Sequence, residues 1–208
     1  MRIETGLART AAGLISLIGW VGLAAQLSAV TDQVDSVAGA IWIMLRFFTI
    51  WTNLIVVVVF TGIALGHPAF RSQRLLGLVT LSILFVGAVY VVLLRGLVEL
   101  SGGAATANLI LHYIVPGLAL LFWLLFAPKG AMNWRVPFLW ASYPLAYFAY
   151  ALVRGARDGK YPYPFMDIPT VGWASALTTV AIILCAYLLV GIILVWIGRF
   201  LDPHRTNT

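Results

Sequence analysis

The sequence predicts an all-α, polytopic membrane protein: one domain over 1–208, built as a bundle of six transmembrane helices. Three observations lead there. Of its 208 residues 62% are hydrophobic and only 10% are charged, and the mean hydropathy is +0.99. A soluble domain is roughly 45–50% apolar and about a quarter charged, so this chain lacks the polar surface needed to cover itself in water. The apolar residues also arrive in long runs, and a helix crosses the hydrocarbon core in roughly 20 residues at about 1.5 Å each. A chain of this length holds about six such helices with short connections and no soluble domain beside them.

Apolar runs bounded by charge, Gly or Pro place the helices over 8–30, 38–65, 75–98, 105–127, 135–154 and 171–200. The turns fall at 31–35, at 66–74 with Pro68, at 101–104 with a Gly pair, at 128–135, and at 155–170, the longest. No internal repeat is visible. The first run follows Arg2 and Arg9, reaches about Val30 and lacks a small-residue cleavage site, so a retained helix is expected there rather than a signal peptide.

With the N-terminus in the cytoplasm, that side collects Arg2, Arg9, Arg71, Arg74, Lys129, Arg135, Arg199 and Arg205, against Arg154, Arg157 and Lys160 outside. The positive-inside rule then predicts both termini in the cytoplasm, and compactness points to a bacterial inner membrane. The net charge of +6 is scattered between apolar segments with no block of like charge, so nucleic acid is not an expected partner.

The small polar inventory excludes chemistries. A retinal protein needs a lysine inside a helix, but Lys129 and Lys160 lie in loops. Haem held between helices needs paired axial histidines, and of His67, His112 and His204 only His112 falls within a span. One such His, the single Cys185 and no intramembrane acid cannot build a zinc site or a disulfide, so no metal and no cofactor is expected. Proton-coupled transport is disfavoured by the same lack of acids.

Arg46, Thr49 and Asn53 recur at three and four residues and so share one stripe of the predicted second helix. A buried Arg in a bilayer costs several kcal/mol, so Arg46 should face protein, water or an anion. Asn108 and His112 share a face of the fourth helix. Counted from the outer helix ends at about 1.5 Å per residue, Thr49 lies roughly 17 Å and His112 roughly 10 Å deep, close enough to meet. A threonine hydroxyl is a poor nucleophile until a base takes its proton, and a neutral His suits that task. Asn108 is positioned to orient the imidazole, Arg46 to hold a carboxylate, and Asn53, Asn108 and Arg46 are candidate oxyanion donors.

Asp167, in the aromatic and proline-rich outer loop with Tyr163, is the one acid available to complete a triad. That loop reads equally as an interfacial anchor or a cap over a cavity. Arg95, with Glu99 four residues on, suggests an ion pair near the outer surface. Tyr143, Tyr147, Tyr150 and Arg154 give the fifth helix a polar-aromatic face suited to packing.

Three short motifs occur in order: Arg46-Phe47-Phe48-Thr49, His112-Tyr113-Ile114-Val115-Pro116 and Tyr163-Pro164-Phe165-Met166-Asp167. Together they resemble segments of the androgen-induced-gene family, which includes the androgen-dependent TFPI-regulating protein. The resemblance covers most of the chain from the second helix to the sixth. It implies a multi-span hydrolase of fatty acid esters of hydroxy fatty acids, with Thr49 as nucleophile and His112 as its partner. Two departures stand out. Pro116 follows His112 one position sooner than in the animal proteins, and Thr52-Asn53 replaces an acidic residue, which keeps Thr52 as an alternative nucleophile.

The expected function is therefore an integral membrane threonine hydrolase acting on a lipid ester that enters from the bilayer. The alternatives are a non-enzymatic lipid- or anion-binding protein or transporter using Arg46 and Arg95, and a structural membrane subunit.

Overall fold

The computed structural model describes residues 3–130 and 132–202; Arg2, His204 and Arg205 lie outside them. Among the described residues the chain is all-helical. Five helices are long and apolar enough to cross a membrane, and six if a pair bent by 98° forms one span. Contacts group the chain into two compact units, Met1–Leu45 with Thr49–Lys129, and Arg46–Phe48 with Gly130–Thr208.

The first unit holds α1 (Gly6–Val34), α2 (Val37–Met44), α3 (Phe48–Ala64, from Thr49 onward), α4 (Gln73–Val89), α5 (Gly102–Leu109) and α6 (Val115–Phe126). α4 continues into a π-helical turn at Tyr90–Leu94, and another, Ile110–Ile114, joins α5 to α6. α1 is capped by the Thr5 side chain and buries a stripe of small residues that includes Ala8, Ala12, Ser16, Gly19 and Gly22. Small residues let transmembrane helices approach closely. A Cβ on Gly19 would lie 2.4 Å from Val57 Cγ1, and one on Gly22 would lie 2.6 Å from Ile110 Cγ2 and 2.8 Å from Leu111 Cδ2. α1 therefore packs directly behind α3 and the second π turn, and Ser16 Oγ adds a 3.1 Å hydrogen bond to the Val57 carbonyl.

The second unit holds α7 (Val136–Trp140), α8 (Ser142–Asp158) and α9 (Ile168–Phe200), with residues 46–48 packed among them. α9 contains a kink at Gly172, whose φ of 74° only glycine adopts freely. Arg199 Nη1 donates to the Met132 carbonyl at 2.8 Å, and its guanidinium lies over the Trp134 ring.

Several sequence expectations are corrected. The helix expected over 38–65 is broken at 45–47, so Arg46, Thr49 and Asn53 do not share one continuous stripe. No Gly or Pro causes the break; side chains take the main-chain groups that a continuous helix would have paired internally. Trp51 Nε1 donates to the Leu45 carbonyl at 2.7 Å, Tyr147 Oη to the Arg46 carbonyl at 2.7 Å, and the Phe48 N–H donates to Tyr163 Oη at 3.0 Å. Phe48 packs on the Tyr143 and Tyr147 rings, with centroids 5.1 and 5.0 Å away.

The helix expected over 75–98 ends at Leu94, where Arg95 turns extended and Gly96 takes φ +83°. Arg95 and Glu99 therefore lack helical spacing, and no ion pair joins them. The turn expected at 31–35 is helical to Val34 and closes on Asp35 in the left-handed region. The helix expected to end at 154 runs to Asp158 and closes on Gly159 in the left-handed region, whose N–H returns to the Gly155 carbonyl.

Candidate functional site

Thr49 and His112 meet inside the first unit, with Thr49 Oγ1 3.2 Å from His112 Nε2. Both are half-buried, so the pair is shielded yet reachable. His112 Nδ1 lies 3.3 Å from the Asn108 main-chain carbonyl. A carbonyl can only accept, so Nδ1 carries the ring proton and Nε2 is left as the acceptor of the Thr49 O–H. Asn108 thus orients the imidazole as the sequence suggests, but through its backbone rather than its side chain.

The second π turn sets the position of His112. Pro116 has no N–H to return to the carbonyl of residue 112, one turn back, and the helix widens just before it. The freed His112 carbonyl rests on Gly87 of α4, where a Cβ would be only 2.8 Å away. From the π turn that ends α4, Tyr90 stacks its ring on the imidazole, with centroids 4.2 Å apart and planes 28° apart. Gly87 and Tyr90 escape sequence reasoning because α4 shows no polar pattern around them. Pro116, four residues after His112, is the visible mark of the irregular turn.

Asn53 ties the two halves of the pair together. Its Nδ2 donates to the Thr49 carbonyl at 2.9 Å and to the Leu111 carbonyl at 3.4 Å, while its buried Oδ1 has no side-chain or main-chain partner. With both amide hydrogens engaged, Asn53 is a clamp with a spare acceptor and not the oxyanion donor the sequence suggested. Thr52, the alternative nucleophile, is buried; the His112 hydrogen bond is made by Thr49.

The break before α3 supplies donors that a continuous helix would have consumed. Phe48 N–H is taken by Tyr163, whereas the N–H groups of Thr49 and Ile50 fall in the first turn and have no carbonyl one turn back within α3. They lie beside the Thr49 hydroxyl, at the positive end of the helix dipole.

The remaining sequence candidates lie in the second unit. Arg46 Nη2 reaches Asp158 Oδ2 at 3.5 Å, and Arg154 Nε binds the same oxygen at 3.0 Å while Arg154 Nη1 donates to Tyr150 at 2.8 Å. Two guanidiniums thus share one carboxylate, and Arg46 Nε is buried without a hydrogen-bond partner. Tyr163 packs on Phe47 and Phe165 and anchors the break. Asp167 accepts from Thr170 Oγ1 at 3.0 Å at the start of α9. On the imidazole, the place of a third triad member is held by the Asn108 carbonyl. No three His, Cys, Asp or Glu side chains gather among the described residues.

No protein-family model matches the chain, and neither the curated proteins nor the solved structures give a match.

Proposed function

We propose that the chain is an intramembrane threonine hydrolase of lipid esters, a bacterial-type relative of the androgen-induced-gene family, set in the inner membrane with both termini cytoplasmic. The observation that carries this reading is the Thr49–His112–Asn108 relay, 3.2 Å and 3.3 Å long, with the imidazole tautomer fixed in the sense a general base requires. The hydroxyl is within direct reach of its base, and a third group orients that base, as in other activated nucleophiles.

In the proposed reaction Thr49 Oγ1 bonds to the ester carbonyl carbon while its proton passes to His112 Nε2. The oxyanion is held by the first-turn N–H groups of Thr49 and Ile50. Collapse expels the alcohol, which takes the proton back from His112 and leaves acyl-Thr49. A water, deprotonated by His112, then attacks the acyl carbon, and the C–Oγ1 bond breaks as Thr49 Oγ1 takes the proton back from His112, releasing the fatty acid. The apolar neighbours of the pair, among them buried Ile50 and Leu111, suit a lipid rather than a water-soluble ester. Charge placement supports the orientation: Arg9, Arg71, Arg74, Lys129, Arg135 and Arg199 fall on one predicted side.

The test is ester turnover by the purified chain over a panel of lipid esters that includes fatty acid esters of hydroxy fatty acids. Wild type turns over at least one class, and Thr49→Ala and His112→Ala abolish turnover while retaining the wild-type unfolding temperature. Absence of turnover across the panel favours the alternative, a non-enzymatic anion-binding protein. The observation behind that alternative is Arg46, whose Nη2 shares the Asp158 carboxylate with Arg154 and whose buried Nε has no hydrogen-bond partner.

A further inference from the structure

At the opposite end of α3 from Thr49, the chain leaves the helix through Gly66, with φ +82°, and turns back at Pro68–Phe70. Gly62 allows this return, because a Cβ there would lie 2.1 Å from the Phe70 ring, so the ring lies directly on the helix backbone. The fold-back leaves a cavity of about 490 Å³ whose apolar walls are Val58, Leu65, Pro68 and Phe70. Val58 and Leu65 are 49% and 76% exposed, so the cavity opens on the apolar flank of the unit.

Two guanidiniums converge on its Gly66 edge. A Cβ on Gly66 would lie 3.2 Å from Arg9 Cζ and 3.4 Å from Arg71 Nη2. Arg9 Nε donates to the Ala64 carbonyl at 3.0 Å, and Arg71 Nη2 donates to the Gly66 carbonyl. The only carboxylate paired with them among the described residues is Glu4, 3.8 Å from Arg71 and 67% exposed. Arg71 Nε is buried without a partner. Two cations against one weakly held acid leave about one unit of positive charge beside an apolar slot.

We infer that this end of the first unit binds one anionic phospholipid, its phosphodiester between Arg9 and Arg71 and an acyl chain in the cavity. A phosphodiester carries the single negative charge that the pair lacks, and guanidiniums suit its oxygens. The apolar walls require an attached chain, which selects a lipid over free phosphate. Nothing in this site depends on the Thr49–His112 reading.

The experiment compares phosphatidylglycerol with phosphatidylcholine of the same chains, and with inorganic phosphate alone, on the detergent-purified full chain, by native mass spectrometry and thermal unfolding. Phosphatidylglycerol is expected to bind about tenfold or more tightly than phosphatidylcholine and to raise the unfolding temperature, since basic groups at a membrane surface favour anionic lipid by roughly fivefold each. Arg9→Gln and Arg71→Gln should each remove about fivefold, Arg9→Lys should keep most of the preference, and Arg135→Gln should leave it unchanged. In wild type, where folding is not in question, the preference should shrink between about 0.1 and 1 M salt. Equal binding of the two lipids, a preference surviving in the double Gln variant or insensitive to salt, or full stabilisation by inorganic phosphate alone would overturn the inference.

Discussion

Replacing Gly87 by Ala tests whether the seating of the π turn holds His112 in working geometry. The added Cβ would stand 2.8 Å from the His112 carbonyl oxygen and 3.5 Å from Pro116 Cγ. The first contact is about 0.6 Å short of ordinary van der Waals separation, and the neighbour is backbone, so the π turn itself must move. A shift of that size along the Thr49–His112 line would stretch their 3.2 Å contact to about 3.8 Å, beyond hydrogen-bond reach. Overpacking of this kind costs about 1–3 kcal/mol, which at about 2–4 °C per kcal/mol lowers the unfolding temperature by roughly 2–12 °C. Misplacing a catalytic group by about 1 Å can cost about a hundredfold, so the rate of labelling by a fluorophosphonate should fall about tenfold or more. Gly117→Ala is the control, because a Cβ there meets nothing within 4 Å. If Gly87→Ala labels and unfolds like wild type, the π turn is not the element that positions His112.

Three further outcomes follow from the same geometry. Tyr90→Phe keeps the ring on His112 and should label at the wild-type rate, whereas Tyr90→Ala loses a stacking contact of about 0.5–1.5 kcal/mol and should label several-fold more slowly. Asn53→Leu leaves the Thr49 and Leu111 carbonyls without their shared donor and should cost about 1–3 kcal/mol in thermal or denaturant unfolding; an unchanged midpoint would remove Asn53 from the clamp role. Lys129, outside the spans and donating to the Trp123 and Ala127 carbonyls, is pushed by burial from 10.5 down to about 8. Between those two values the unfolded chain holds a proton that the folded chain has released, so stability should rise with pH across that window. The slope should be shallow because the amine is only partly shielded from water, and Lys129→Met should flatten it in unfolding scans from pH 7.5 to 10.5.

The apolar spans are legible in the sequence because hydropathy alone decides them; five of the six predicted runs coincide with helices long enough to cross a membrane. The break before Thr49 is not legible, because Leu45-Arg46-Phe47 contains no helix breaker. The partners that open it, Tyr147 and Tyr163, are 101 and 115 residues away in sequence from the groups they bind. That is a tertiary effect overriding local propensity, and it starts a new helix at Phe48 whose first turn includes the N–H groups of Thr49 and Ile50. The Asn108–His112 spacing is legible, but the group that orients the ring is a main-chain carbonyl, which every residue carries and no pattern marks. Asp167 is the one acid the sequence offers to complete a triad, yet its carboxylate is engaged by Thr170 at the next helix start. Arg46 reads as a stripe partner of Thr49 only if the helix is continuous, and the bend sends its side chain to Asp158 instead.

The central claim is that the Thr49 hydroxyl is the group that His112 activates. Its most direct measurement is to treat the purified chain with a fluorophosphonate, digest it, and locate the adduct by mass spectrometry. A single adduct is expected on Thr49, disappearing in Thr49→Ala and strongly reduced in His112→Ala. An adduct on Thr52 or elsewhere, or labelling of wild type that His112→Ala leaves unchanged, would contradict it.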